Sequence, residues 1–342
     1  MWHLSGPRSD AGVVATRMPL IAVDAMGGDA APREIVEGAI LAAQSGANVV
    51  LVGDEAQISP LLDGRDIDID VHHASEVITM DDVAARAIRE KKDASVTVAA
   101  RMVSSGGADG MVSAGSTGAA LASAAFLIGR LPGVKRPGIA SIFPTGHVVV
   151  DVGANIECKP EHLVQFAVMG SAISTVYQGI DNPRVGLLNI GEEDTKGRDL
   201  ERQAFNLLRD TAAVNFVGNI EGSDLATDVA DVIVTDGFTG NVLLKTGEGT
   251  GRVIQKMIFE TLAEPKYVDA VQDLMPAFME IRQKLSAETV GGAHLVGTKG
   301  VVVIAHGSSS RIAISNAIAI ASEGVSSGLV ARIGAGIAAL EH

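Results

Sequence analysis

Residues 232–249 read VIVTDGFTGNVLLKTGEG. The β-branched run Val232-Ile233-Val234 halts at Asp236-Gly237. The chain then passes Gly240-Asn241, and apolar residues resume at helical spacing with Leu243 and Leu244, ahead of Lys245. A buried strand, a tight turn and a helix start in that order leave free backbone N–H groups aimed beyond the strand, where an anion is welcome. The same punctuation recurs in IAVDAMGGDAAP (21–32), LVGDEA (51–56), MVSAGSTGAA (111–120), VVVDVGAN (148–155), GLLNIGEEDTKG (186–197) and VVVIAHGSSS (301–310). Each apolar run ends in Gly, Asp or Asn. Strands alternating with helices predict an α/β protein, a mainly parallel sheet covered on both faces. In such sheets ligands bind beyond the carboxyl ends of the strands.

Composition narrows the function classes. Hydrophobic residues make up 47% of the 342 but aromatics only 3%, so the core is built from Val, Ile, Leu and Ala. A formal charge of −14 argues against a nucleic-acid partner, whose phosphates need clustered Lys and Arg. The single cysteine, Cys158, excludes an internal disulfide framework and a conventional cysteine metal site, and fits a reducing cytosol. No run approaches the roughly 18 apolar residues of a membrane helix. Residues 1–18 lack an apolar signal core and read as a disordered extension, with Met18 an equally good start. The expectation is a soluble, cytoplasmic protein whose membrane contact, if any, is peripheral.

From Leu20 the pattern is strand, loop, helix, with a helix over 33–44 that Asp29 caps. Segments 139–143 and 147–151 form an antiparallel pair around Pro144-Thr145-Gly146. With no short repeat and no linker, residues 19–335 read as one domain. One segment breaks the alternation. Residues 250–285 carry no strand signal but two amphipathic helices flanking Glu264-Pro265, with five basic and five acidic residues and three of the ten methionines. Two readings stand: an ordinary packed hairpin, or a protruding arm that dimerises along its base and offers Leu262, Val268 and Val271 to a membrane surface at its tip.

The strand-end loops suit phosphate. Gly27-Gly28 permits close backbone approach, and the helix near Pro32 supplies a positive dipole end. Asp24 and Asp29 would repel phosphate, so they orient a donor or cap; a plain capped turn is the alternative. Lys196, in a loop bounded by Gly191 and Gly197 with three consecutive acids beside it after an apolar strand, reaches an anion as a mobile charge, or is a solvated loop residue. Asn241, following Gly240 at a helix start, donates to an oxyanion or merely caps. His306 ends the last strand at the rim. His147 and Asp151, four apart within a β-branched strand, are a weak mimic of a His/Asp pair. Cys158 has no nearby base to activate it. No metal cluster, cofactor fingerprint or covalent nucleophile emerges.

Ile21–Asp29 with Ala31-Pro32, Asp151–Asn155, Lys159–Gln165, Leu187–Gly191, Val234–Asn241 and Ala305–Ser308 closely resemble the PlsX family of phosphate acyltransferases, in order and from about Leu20 to Gly328. The resemblance implies a three-layer α/β/α sandwich related to isocitrate dehydrogenase-like and phosphotransacetylase folds, and a homodimer peripherally associated with the inner face of the cell membrane. It implies transfer of a fatty acyl group from acyl-[acyl carrier protein] to inorganic phosphate, without a cofactor. The acyl phosphate would feed glycerol 3-phosphate acylation in phospholipid synthesis. Lys196 and Asn241 fall on positions the family places in its active site. Asp24, Gly27, Gly28, Asp29 and Gly240 would shape the phosphate site, with His306 at its rim. Ser116 stands where the family pattern has asparagine. An acidic enzyme meeting an acidic carrier needs a basic patch, and Arg86, Arg89, Lys91 and Lys92 on one helix are the candidate. The nearest rival is a phosphotransacetylase acting on acyl-coenzyme A; a non-enzymatic membrane scaffold would keep the hairpin but not the strand-end loops.

Overall fold

In a computed structural model, which describes residues 17–285 and 291–340, the apolar runs form one eleven-stranded sheet. Along the chain, β1 (Leu20–Asp24), α1 (Arg33–Gln44), β2 (Asn48–Gly53), α2 (Glu55–Leu62) and β3 (Asp70–His73) come first. Next are α3 (Ala84–Glu90), α4 (Ser95–Ser105), β4 (Gly110–Ser113) and α5 (Thr117–Ser123). The hairpin β5 (Gly138–Ile142) and β6 (Val148–Val150) opens the second half. There follow α6 (Pro160–Gln178), β7 (Arg184–Leu188), α7 (Asp199–Asp210), β8 (Asn215–Ile220), β9 (Val232–Val234), α8 (Gly237–Leu262) and α9 (Val268–Leu285). The chain returns as β10 (Ala293–Val296), β11 (Val301–Ile304), α10 (Arg311–Ser326) and α11 (Leu329–Ala339). No single helix among the described residues is long and apolar enough to cross a membrane.

The strand order is β3-β2-β1-β4-β11-β10-β5-β6-β9-β7-β8. Seven of the ten pairings are parallel; the exceptions are β11–β10, β10–β5 and β5–β6 at the centre. Those three reversals are odd in number, so β6, β9, β7 and β8 run opposite to β1, β2, β4 and β11. The arrangement repeats about an approximate two-fold between β10 and β5, which exchanges β11 with β6, β4 with β9, β1 with β7 and β2 with β8. No sequence period announces this, because hydrophobic identity is free to drift while the strand–helix alternation is kept.

Each half buries its strands between helices. Ile21, Val23, Val112 and Val303 face α1 and α10 through Ile35, Ile40, Ile314 and Ile318. Val148, Val150, Val232 and Leu187 face α6 and α7 through Phe166, Ile173, Phe205 and Leu208. The alternate residues Ala22, Met111, Val149, Ile233 and Val302 face the other way, in one core shared by both halves with α4 and α5. Strand alternation thus separates the cores.

Candidate active site

The reversal splits the strand-end loops into two sets at opposite edges of the sheet. One edge carries the loops after β6, β9 and β7. Helices α6 and α7 leave to one face while Leu243 and Leu244 of α8 pack on the other, so the loops part around β9 and leave a crevice. Asp151 builds its floor. Its buried carboxylate accepts from the backbone N–H of Ile139, Gly153, Ala154 and Asn155 and from Asn155 Nδ2, at 2.7–3.1 Å. Burial pushes this carboxyl above its ordinary value, and those bonds oppose the shift. Asn155 in turn accepts at its carbonyl from Gly237 N–H at 2.8 Å, which seats the start of α8 on the Asp151 turn. A Cβ at Gly240 would fall 1.9 Å from the Asp151 carbonyl oxygen, so only glycine permits this approach.

Asp236 caps α8, accepting from Thr239 N–H at 2.8 Å and Thr239 Oγ1 at 2.9 Å, and Arg198 from the β7 loop also donates to it. Burial works against its charge, but the bonds from Thr239 and Arg198 win and hold the carboxyl below its ordinary value. The Arg198–Asp236 pair therefore ties the lysine loop to the asparagine loop. Lys196 is exposed beyond it, its Nζ 3.5 Å from Glu193, and its carbonyl accepts from Asn189 Nδ2 at 3.1 Å. Asn241 is exposed on the first turn of α8, its side chain beside Gly153. Around this polar crevice stand four large apolar side chains open to solvent: Ile156 at 73%, Ile190 at 82%, Phe238 at 60% and Val242 at 50%. Arg198, Asp236 and this apolar rim escape sequence reasoning. The capping pattern Asp236-x-x-Thr239 was the available signal; nothing local marks an isoleucine as exposed.

The opposite edge gathers the other set. Asp24 is buried, accepts from Ser113 Oγ at 2.6 Å, and burial raises its pKa. Gly27 lies against Gly115, and Asp29 N–H donates to the Gly307 carbonyl at 2.8 Å. His306 Nδ1 accepts from Ser308 N–H at 3.2 Å and meets Ser308 Oγ at 2.8 Å. Asp29 makes no side-chain cap to α1, a departure from expectation that follows because Pro32, not Asp29, is the residue preceding the helix. The structure thus brings Asp24, Gly27, Gly28, Asp29 and His306 together, and separately Lys196, Gly240 and Asn241. Between β4 and β9 lie five strand spacings, roughly 24 Å, so within one chain the two sets do not touch the same phosphate.

The remaining candidates are dispersed. On α3, Arg86 pairs with Glu90 and Arg89 lies over the Phe126 ring, but the helix ends at Glu90, so Lys91 and Lys92 lie past it, Lys91 Nζ held by Asp82 and the Val77 carbonyl and Lys92 exposed. Cys158 is half-buried, and burial pushes its thiol up to about 11, too high for a nucleophile. His147 is buried against Thr145. In the α8–α9 hairpin Leu262 and Val271 are half-buried, and the side chain of Val268 lies outside the described residues, as do residues 1–16. The exposed apolar side chains of the hairpin include Val253, Ile254, Met257, Leu274, Met279 and Ile281.

Residues 20–332 match the family model described as fatty acid synthesis protein. The chain is 46% identical over 322 residues to a phosphate acyltransferase of Bacillus subtilis, covering 92% of this chain and 96% of that one. It is 48% identical over 322 residues to one of Heliobacterium modesticaldum, with the same coverage. Among solved structures it resembles a phosphotransacetylase from Streptococcus pyogenes (TM-score 0.58, 18% identity, 90% of this chain and 94% of that one). A branched-chain phosphotransacylase from Enterococcus faecalis is similar too (TM-score 0.57, 16% identity, 90% and 99%). At such identities these two support the fold alone.

Proposed function

From the premise that the chain belongs to the PlsX family of phosphate acyltransferases, we propose that it moves a long-chain fatty acyl group from acyl-[acyl carrier protein] to inorganic phosphate in the Lys196–Asn241 crevice. That it is an acyltransferase delivering an acyl group to phosphate follows from the family; the donor, the residues and the pathway are our reading. The observation that carries it is the pairing, at one crevice, of an exposed ammonium held only loosely by Glu193 and an amide with four exposed apolar side chains. A phosphate and a thioester carbonyl need the first; a fatty tail needs the second.

A phosphate oxygen attacks the thioester carbonyl carbon, and the carbonyl oxygen becomes a tetrahedral oxyanion. Asn241 donates its amide N–H to that oxyanion, and Lys196 offsets the added negative charge of the approaching phosphate. Collapse breaks the C–S bond, releasing the carrier's thiolate and the acyl phosphate. Phosphate is itself the nucleophile, so no acyl-enzyme is required, in keeping with the high pKa of Cys158. Ile156, Phe238 and Val242 flank the tail where it leaves the carbonyl. The product would serve glycerol 3-phosphate acylation for phospholipid synthesis, at the inner membrane face. The exposed apolar stripe of the hairpin supports both a homodimer and a peripheral membrane contact.

The donor is tested by comparing kcat/KM for palmitoyl-[acyl carrier protein] and palmitoyl-coenzyme A under one set of conditions. The expected result is a preference for the carrier of roughly 30- to 150-fold, given ~2–3 kcal/mol from added protein contacts. Equal or reversed values would give the reaction to a coenzyme A-dependent enzyme.

A further inference from the structure

The chain carries 41 acidic against 27 basic residues, yet one stretch of its surface inverts that balance. Segments 129–137, 156–161 and 297–300 hold Arg130, Lys135, Arg136, Lys159 and Lys299 against two acids, Glu157 and Glu161. Backbone bonds bring the segments together. Lys299 N–H donates to the Gly129 carbonyl at 2.9 Å, and Leu131 N–H to the Gly297 carbonyl at 3.0 Å. Arg130 Nη1 donates to the Lys135 carbonyl. A buried glutamine, Gln165, fixes the loop from below: its Nε2 donates to the Gly133 carbonyl and its Oε1 accepts from Lys135 N–H, both at 2.8 Å. Lys135 has a loose partner in Glu161 at 3.5 Å, while Arg130, Arg136, Lys159 and Lys299 have no acidic partner among the described residues. Burial holds His162 below its ordinary pKa, Glu161 pulls against it, and the charges of Arg136, Lys135 and Lys159 add to the lowering.

The position matters as much as the charge. Asn155, whose carbonyl seats α8, donates from Nδ2 to the Pro137 carbonyl at 2.7 Å. The basic belt therefore borders the crevice through a single residue. Val134 is buried and Leu131 half-buried, so loop 129–137 presents charge rather than large apolar side chains, and the exposed Ile156 of the neighbouring segment belongs to the crevice rim. A fixed array of cations on a rigid base complements a fixed array of carboxylates. The α3 patch expected from sequence lacks these properties: Arg86 and Lys91 are already paired, and Asp81, Asp82, Glu90 and Asp93 surround them.

We propose that Arg130, Lys135, Arg136, Lys159 and Lys299 are the docking surface for the acidic protein that delivers the acyl thioester, orienting its prosthetic arm toward Lys196 and Asn241. The assignment rests on the functional reading above, in which that protein is the acyl carrier. Rim charges act on encounter and orientation, so they move KM for the protein substrate and leave the chemical step alone.

The test is steady-state kinetics of the full chain with palmitoyl-[acyl carrier protein]. In Arg136→Glu/Lys159→Glu, KM for the carrier rises roughly tenfold or more, kcat stays within about twofold, and KM for phosphate is unchanged. Wild-type KM also rises with added sodium chloride, and more steeply than that of the variant. Lys299→Glu, on an exposed turn, gives a severalfold rise and covers the case in which the double variant folds poorly. A carrier KM unchanged in folded variants, or one that instead rises in Arg86→Glu/Arg89→Glu, overturns the proposal. So does loss of binding to phosphatidylglycerol vesicles with kinetics intact, which would make the belt a lipid contact. Wild type that turns over acyl-coenzyme A but not the carrier thioester would remove the functional reading, and the docking surface with it.

Discussion

Gly240 shows how narrowly the crevice is built. Its missing side chain lets the first turn of α8 rest on the Asp151 carbonyl, and Asn241 is the next residue along. Gly240→Ala would drive a Cβ to 1.9 Å from that oxygen, and a backbone carbonyl in a hydrogen-bonded turn cannot yield cheaply. Denaturant melts should show a loss of about 2–4 kcal/mol, with activity falling alongside. Gly247→Ala, on the same helix with open space around it, should be neutral or gain about 0.5–1 kcal/mol. A flat result for Gly240→Ala would mean the crevice is looser than described. Lys196 and Asn241 were legible in sequence because glycines and a strand end frame them. The partners that hold them, Arg198 with Asp236 and Asp151 with Asn155, were not, since such bonds join residues 38 apart or hide in a quoted motif without a role.

Helix α8 does two jobs along its 26 residues. Its first turn forms the crevice, capped by Asp236, and its later turns leave the domain as one arm of the hairpin, where Val253, Ile254 and Met257 are open to solvent. The amphipathic spacing made both helices readable, but spacing cannot say which apolar residues the two helices hide from each other. Leu262 and Val271 are half-buried, while Val253 and Leu274 are open to solvent. β10 was missed for a related reason: AHLV is four residues long and follows a Gly-Gly pair, so it reads as turn. The C-terminal helical stretch divides into α10 and α11 at Gly328, whose positive φ of 66° ends the first and redirects the chain.

At the scale of the molecule, the strand–helix alternation predicted the sandwich, while the direction of its second half lay beyond local pattern. Direction is set by the antiparallel pairings around β10 and β5, in which His294 pairs with Ala140 and Val296 with Gly138, and it decides which loops share an edge. His306 and Lys196 looked like companions in sequence for want of that fact. The central strands also hold a titratable group: His294 on β10 is buried, its ring 4.6 Å from that of Tyr177, and burial lowers its pKa to about 4. The folded protein keeps this ring neutral, whereas the unfolded chain protonates it near the ordinary value of 6.5. Stability from this group is therefore present above pH 6.5 and lost as pH falls toward 4. Between pH 7 and pH 5 it should cost about 2 kcal/mol. His294→Phe should lose less stability than wild type over that interval in paired melts; equal losses would mean the ring is protonated in the fold.

Formation of acyl phosphate at the Lys196 loop is the centre of the account, and one assay addresses it. Palmitoyl-[acyl carrier protein] and inorganic phosphate are incubated with wild type and with Lys196→Ala, and acyl phosphate is trapped as the hydroxamate with hydroxylamine. The account predicts hydroxamate from wild type and a fall of about 10²–10³-fold in kcat for the variant, the scale of losing one transition-state charge contact. Lys196→Ala with undiminished turnover would contradict it, and would move the electrostatics of the reaction away from this crevice.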